Sequence, residues 1–162
     1  LCEINTVDGV NEQAIKHCKK ALDIKKDDIA SQINLAQVYK QTGEKEQALN
    51  LLKAAASSSL KTENAIDAYG SFLEEEKNFA ESYVQFKNCL TMFAKADSCL
   101  RGLGTAAASL KKWQESYDAF QKLCRKDRKW SADVRKASVT AKELGVHEWE
   151  QKLLELSLNC NI

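Results

Sequence analysis

Apolar residues recur along this chain at spacings of three and four, the pattern of helices with one apolar face. Residues 34–52, NLAQVYKQTGEKEQALNLL, contain two such stripes on either side of a short polar segment. The stripes are formed by Leu35, Ala36, Tyr39, Ala48 and Leu52. Gly43 lies between them, and glycine readily adopts the left-handed conformation that ends a helix. The stretch therefore predicts two helices joined by a tight turn.

Similar residues return at a step of 34 along the chain, as from Leu35 to Tyr69 to Leu103. On the first helix of each pair, a column of mostly large residues precedes a small one. These columns are Leu1, Leu35, Tyr69, Leu103, Ala137 and Cys2, Ala36, Gly70, Gly104, Ser138. On the second helix, a column that is small until its last member precedes a large apolar one. These columns are Ala14, Ala48, Ser82, Ser116, Glu150 and Cys18, Leu52, Phe86, Phe120, Leu154. A lone helix pair cannot bury its apolar face, so the copies are expected to stack.

The turns follow the same step. The turn column reads Gly9, Gly43, Lys77, Lys111 and Gly145. These residues resemble the tetratricopeptide repeat (TPR) family, whose helix–turn–helix units of 34 residues carry a Leu-Gly-x-x-Tyr type signature on the first helix. The copy with Leu35-Ala36 and Tyr39 matches best, although the family's proline at the end of the second helix is absent. The resemblance implies an all-α fold, a right-handed superhelical solenoid of antiparallel helix pairs.

We expect one array over residues 1–162. Its frames are approximately 1–28, 29–62, 63–96, 97–130 and 131–162. Because the first copy begins partway through its first helix, we also expect the chain to be a fragment of a longer protein.

The composition agrees with a helical chain of balanced charge. It has no proline and 6 glycines among 162 residues, so few residues interrupt helices. The 24 Lys and Arg residues oppose 23 Asp and Glu residues, a net charge of +1. Such a balance gives no general attraction to nucleic acid or to an anionic membrane. No apolar run approaches the roughly 18 residues of a membrane span, and we predict no membrane partner.

No sequence pattern typical of catalysis is found. His17 and His147 lie in distant copies, without the spacing of metal ligands. Cys18 is adjacent to His17, but neighbouring side chains diverge by about 100° around a helix, which disfavours a Cys–His nucleophile. There is no glycine-rich phosphate loop and no G-x-S-x-G motif. We therefore predict that the chain is not an enzyme and needs no cofactor or metal.

The 6 cysteines are scattered without a C-x-x-C pair. Cys2, Cys18 and Cys89 fall in apolar packing columns, where thiols behave as small apolar groups. This pattern favours reduced cysteines and hence a cytoplasmic protein. The alternative is two disulfides, Cys2–Cys18 and Cys89–Cys99, between neighbouring helices. These bridges would indicate an exported compartment.

The resemblance to TPR proteins also implies a partner site. In that family, the first helices of the pairs line a concave groove that receives a peptide or a helix of another protein. The matching positions are Ile33, Gln37, Lys40, Gln41, Asp67, Ser71, Glu74, Glu75, Ser98, Arg101, Thr105, Ala108, Ser109, Arg135, Val139 and Lys142. They are mostly acidic in the third copy and basic in the last two, so a ligand bearing both charges would fit. The family's carboxylate clamp is not expected, because the matching positions lack its cations.

The segment 101–110, RGLGTAAASL, is rich in small residues. Small side chains would leave a depression that a bulky side chain of a partner could fill. The alternative is that Trp113, Phe120 or Trp130 fills this space from within the chain.

The sequence thus predicts a non-catalytic protein–protein interaction scaffold. A first alternative is an RNA-associated helical repeat that uses the basic segment 125–130, which ends at Trp130. The simpler interpretation of that segment is a solvated turn whose cations complement a helix C-terminus. A second alternative is self-association, in which terminal copies of two chains stack end to end.

Overall fold

Nine α-helices make up most of residues 11–160, the part of the chain that the computed structural model describes. They are α1 (Asn11–Ile24), α2 (Ile29–Thr42), α3 (Lys45–Ser57), α4 (Glu63–Glu75), α5 (Phe79–Met92), α6 (Asp97–Ser109), α7 (Trp113–Cys124), α8 (Ser131–Glu143) and α9 (His147–Leu158). A short 3₁₀ turn, Arg128–Trp130, precedes α8. We call α2, α4, α6 and α8 the first helices of the pairs, and α3, α5, α7 and α9 the second helices. The all-α prediction is confirmed.

Among the described residues, 11–72 form one compact unit and 73–160 form another. In the first unit, α1 packs against α2, and α2 packs against α3. Leu35, Tyr39 and Leu52, which belong to the predicted apolar stripes, are all buried in this unit. The two stripes of residues 34–52 are therefore the faces on which their helices pack.

The helices of the second unit follow the order of the repeat. Here α5 packs against α6, α6 against α7, and α8 against α9. In addition, α6 contacts α8, and α7 contacts α9. First helices therefore lie next to first helices, and second helices next to second helices. This arrangement places α6 and α8 side by side.

Small residues allow the helices of the second unit to approach closely. Gly102 and Gly104 on α6 face the rings of Phe86 and Phe120, and a Cβ atom at either glycine would overlap the ring. Both rings are fully buried. The hydroxyl of Ser116 on α7 also donates a hydrogen bond to the Gly104 carbonyl oxygen at 2.8 Å. The alternation of small and large columns is thus the packing of neighbouring helices.

One turn geometry joins the members of each pair. The turn residues have positive φ angles, 85° at Gly43, 60° at Lys77, 60° at Lys111 and 70° at Gly145. The next residue donates its backbone N–H to the carbonyl five positions earlier, as Glu44 does to Tyr39 at 2.7 Å. This bond is typical of the Schellman motif that ends helices. The turn column is confirmed at these positions, and Gly9 lies outside the described residues.

Candidate partner-binding surface

A shallow depression lies on the exposed side of α8. Its volume is about 420 Å³, and its lining residues are Ser131, Ala132, Arg135, Lys136 and Val139. Val139 is 47% exposed there, which is high for an aliphatic side chain. Arg135 and Val139 are groove positions predicted from the sequence, whereas Ser131, Ala132 and Lys136 were not included. Their spacing of three and four from Arg135 and Val139 is the signal that places them on the same face.

Two charged groove positions, Arg101 and Glu74, are paired with each other. Arg101 Nη1 on α6 lies 3.6 Å from Glu74 Oε2 at the end of α4, and these side chains are only 24% and 12% exposed. Each charge therefore compensates the other. Glu75, the next residue, is exposed. The predicted division into acidic and basic positions does not extend to the Arg101–Glu74 pair, and the basic character of this face rests on α8.

Ala108 is a core residue, and its prediction as a groove residue was wrong. It is 1% exposed and belongs to a core cluster with Trp113. Thr105 and Ser109 on the same helix are half-buried, and their hydroxyls donate to backbone carbonyls one turn earlier, at 3.1 and 3.2 Å. Gly104 accommodates the Phe120 ring, as the alternative interpretation of segment 101–110 expected, whereas Gly102 accommodates Phe86, which that interpretation did not name.

The groove positions of the first unit lie on α2 and α4. Gln37 and Gln41 on α2 are exposed. Ile33 on the same helix is 7% exposed, so its prediction as a groove residue was wrong. The half-buried positions are Lys40, Asp67 and Ser71. The Lys40 ammonium lies 6.0 Å from the centre of the Phe72 ring, so its aliphatic stem runs towards α4. Gln37 and Gln41 are therefore the most accessible of the positions predicted in this unit.

The basic segment 125–130 carries charges that are partly paired. Lys126 lies 2.5 Å from Asp97, and Lys129 lies 3.4 Å from Asp127. Trp130 is half-buried against the core cluster, and the Lys129 ammonium lies 5.0 Å from the centre of its ring. A ring held in this way offers little surface on which a base could stack. The geometry thus favours the interpretation of this segment as a solvated turn.

Two disulfides lie in the second unit. Cys89 and Cys99 join α5 to α6 with Cα atoms 6.1 Å apart, and Cys124 and Cys160 join the ends of α7 and α9 with Cα atoms 4.4 Å apart. The first pairing was the alternative drawn from the sequence, against the favoured reduced thiols. The second was not predicted, although its separation of 36 residues is close to one repeat and brings the ends of successive second helices together. The predicted Cys2–Cys18 pair lies outside the described residues because of Cys2.

A polar cluster that was not predicted joins α5 to α7. The Tyr83 hydroxyl donates to Glu115 Oε2 at 2.6 Å and accepts from Lys87 Nζ at 3.0 Å. The Lys112 ammonium lies 3.8 Å from the centre of the Tyr83 ring. The hydrogen bond from Tyr83 holds the pKa of Glu115 below its ordinary value, and the bond to Tyr83 raises the pKa of Lys87. The cluster therefore ties two neighbouring second helices together.

The two histidines lie on different helices. His147 Nδ1 is 3.1 Å from Glu150 Oε2 within α9, and His17 on α1 borders a surface depression with Lys20 and Ile24. Among residues 11–160, no three His, Cys, Asp or Glu side chains are arranged to hold a metal ion. None of the helices in this range combines the length and apolar character needed to span a membrane.

Comparisons with known proteins extend the picture. The sequence model of the tetratricopeptide repeat family matches residues 8–68. A search of curated proteins found no match. Among solved structures, YrrB, described as a TPR protein with an unusual peptide-binding site, matches with a TM-score of 0.72 and 14% identity, over 93% of this chain and 77% of YrrB.

Two further structures match equally well in fold. MamA has a TM-score of 0.72 and 14% identity, over 96% of this chain and 94% of its own. PilF of Pseudomonas aeruginosa has a TM-score of 0.72 and 22% identity, over 93% of this chain and 68% of its own. Residues 8–68 are therefore similar in sequence to tetratricopeptide repeats, and the described helices of the chain share the fold of the TPR proteins that they match.

Proposed function

We propose that this chain is a non-catalytic protein–protein interaction scaffold that receives a peptide or a helix of a partner on its first helices. The observation that carries the proposal is the depression on α8, where Val139 is exposed beside Arg135. An aliphatic side chain in a concave surface releases water when a partner covers it. Because α6 packs next to α8, an extended partner segment would continue from Val139 towards Thr105.

The comparisons support this proposal through the fold. YrrB shares the fold and is described as having a peptide-binding site. The proposal takes residues 1–162 as one array with the frames given above. It also retains the exposed Gln37 and Gln41 on α2 as partner contacts of the first unit.

Phage display of random peptides on the immobilised chain supplies a probe for this surface. Fluorescence anisotropy of a selected, labelled peptide then measures its affinity. Val139→Asp places a charge in the depression, and we expect the Kd to rise about tenfold or more, equivalent to roughly 1.4 kcal/mol.

Val84→Asp is the matched control. Val84 on the second helix α5 is 49% exposed, against 47% for Val139, so the same change is made at the same exposure elsewhere. The proposal is contradicted if no peptide is selected, or if both variants weaken binding equally, or if neither does.

A second candidate function is self-association through α9. In the large apolar column of the second helices, Leu52, Phe86 and Phe120 are at most 3% exposed, whereas Leu154 is 41% exposed. Leu158, one turn later, is 59% exposed. The two side chains form an apolar strip that a second copy of this chain would cover.

Sedimentation velocity over a range of concentrations tests this candidate. Leu158→Glu should abolish any concentration-dependent rise in sedimentation coefficient. Leu60→Glu, at a position 62% exposed in the first unit, should leave that rise unchanged. A sedimentation coefficient that does not depend on concentration contradicts self-association.

We also infer that the protein resides in an oxidising compartment. The two disulfides of the second unit support this location over the cytoplasmic one that the sequence favoured. Mass spectrometry of the natively isolated protein, alkylated without reduction, tests the inference. Alkylation of Cys89 and Cys124 would contradict it.

A further inference from the structure

Two cations on the exposed side of α8, Arg135 and Lys142, lack, within the described part of the chain, the kind of ion pair that Arg101 on the neighbouring α6 forms. Arg101 lies 3.6 Å from Glu74, whereas Arg135 and Lys142 form no ion pair within residues 11–160. Arg135 and Lys142 are both exposed. Together with Val139, which lies four residues after one and three before the other, they form a line along one face of the helix, here called the α8 stripe.

The other charges near the stripe do not cancel it. Lys136, which also lines the depression, is 80% exposed and lies 3.9 Å from Asp133 on the same helix. Exposed pairs at this distance are weak, and the two charges of that pair compensate each other. The stripe therefore presents an aliphatic centre with an uncompensated cation on either side.

The order cation, aliphatic side chain, cation along α8 determines which peptide would be complementary to the stripe. Arg135 and Lys142 are seven residues apart, roughly 10 Å along the helix axis. An extended peptide rises about 3.3 Å per residue and points alternate side chains to one face, so carboxylates four positions apart, roughly 13 Å, lie on the face towards the stripe and are reached by the long side chains of both cations. An apolar side chain between them would cover Val139. A basic segment would be repelled from both ends of the stripe.

A nucleic acid suits the stripe less well than such a peptide. Phosphates would meet the cations, but Val139 offers no hydrogen bond or ring to a base. The nearby Trp130 is half-buried against the core cluster. Single-stranded nucleic acids gain affinity by stacking their bases on exposed aromatic rings. Among the described residues, no such ring lies beside the stripe.

We infer that the α8 stripe recognises an acidic segment of a partner protein in which an apolar residue lies between two carboxylates. The inference rests on the proposed function, because it names the chemistry of the partner for the same face. It goes beyond that function by assigning the selectivity to Arg135 and Lys142.

The sequences of the peptides selected by phage display give the first test. We expect Asp or Glu on both sides of an apolar residue to be enriched over the unselected library. Selected peptides that are neutral or basic, yet weakened by Val139→Asp, would overturn the inference and leave the proposed function standing. If no peptide is selected, the proposed function itself fails.

Charge reversal gives the second test, with a selected acidic peptide as the probe. Arg135→Glu and Lys142→Glu should each raise its Kd about fivefold to tenfold at low salt. The effect should shrink as NaCl is added, because the Debye length falls from about 10 Å at 0.1 M to about 3 Å at 1 M.

Arg125→Glu is the matched control, since it makes the same change of charge at an exposed position at the end of α7. We expect this variant to bind as the wild type does. Equal weakening by all three changes would mean general attraction between opposite charges and would overturn the inference. Tight binding of a poly(U) oligonucleotide that Arg135→Glu abolishes would assign the stripe to nucleic acid, with the same consequence.

Discussion

At the scale of the residue, the missing side chain of Gly102 sets how closely α6 approaches α5. In a helix interior, alanine is ordinarily more stable than glycine by about 1 kcal/mol. Here the added Cβ would overlap the fully buried ring of Phe86. We therefore expect Gly102→Ala to lower the free energy of unfolding by about 1–3 kcal/mol, the opposite sign, as measured by urea denaturation.

A second substitution controls for the cause of that loss. Phe86→Leu shortens the side chain that the new Cβ would meet, so the double variant should lose less stability than the two single variants summed. A gain in stability with Gly102→Ala alone would show that α6 tolerates the Cβ atom.

The hydrogen bond from Tyr83 to Glu115 adds a pH-dependent contribution at the same scale. Tyr83→Phe removes the donor and should lower the free energy of unfolding by about 1 kcal/mol at neutral pH. Since this bond lowers the folded-state pKa of Glu115, its stabilisation is present above the unfolded-state pKa and is lost as the pH falls through the folded-state pKa. Urea denaturation at neutral and at acidic pH should show the difference from wild type shrink in acid, where only the hydrogen bond from Lys87 to the hydroxyl remains. A difference that keeps its full size in acid would assign the effect to that bond instead.

At the scale of the element, the recurring turn is occupied by two kinds of residue. A residue with a Cβ atom at positive φ lowers the stability of the fold by roughly 1 kcal/mol. This cost applies to Lys77 and Lys111 but not to Gly43 and Gly145. We expect Lys111→Gly to raise the free energy of unfolding by about 0.5–1 kcal/mol, and Gly43→Ala to lower it by a similar amount. The midpoints of urea unfolding, at unchanged slope, measure both. A loss of stability with Lys111→Gly would show that the positive φ angle does not strain the backbone at Lys111.

The elements that could be predicted from the sequence are those that recur every 34 residues. Helices, turns and packing columns recur because each copy repeats the same contacts, so Gly43 and Phe120 could be assigned from spacing alone. Ala108 could not be assigned, because a small side chain suits a close helix contact and an open groove equally well. The ion pair between Arg101 and Glu74 could not be predicted from the period either, because the residues at these positions differ between copies.

The Cys124–Cys160 bridge was missed for a related reason. Cys160 follows the end of α9 and belongs to none of the packing columns. Its pairing depends on where the chain runs after that helix, which no recurring contact determines. The lining of the depression on α8 was found only in part. Arg135 and Val139 were predicted, whereas Ser131, Ala132 and Lys136 were not, since the exposure of a side chain is a property of the folded surface and not of the pattern.

At the scale of the whole molecule, the stability of a repeat array is the sum of local terms and of contacts between neighbours. Cys124–Cys160 closes a loop of 36 residues, so replacing both by alanine should lower the stability of the second unit by about 3–4 kcal/mol. Because the loss is local, amide hydrogen exchange should rise in α7 to α9 and stay unchanged in α2 and α3.

Cys89→Ala with Cys99→Ala is the matched comparison. Its sequence separation is 10, so the loss should be smaller, about 2.5–3 kcal/mol, and the faster exchange should centre on α5 and α6. Exchange that rises uniformly along the chain in either variant would mean that the units unfold as one cooperative body, against the nearest-neighbour account. Exchange that changes in neither variant would mean that these cysteines are reduced, and the assignment to an oxidising compartment would fall with the disulfides.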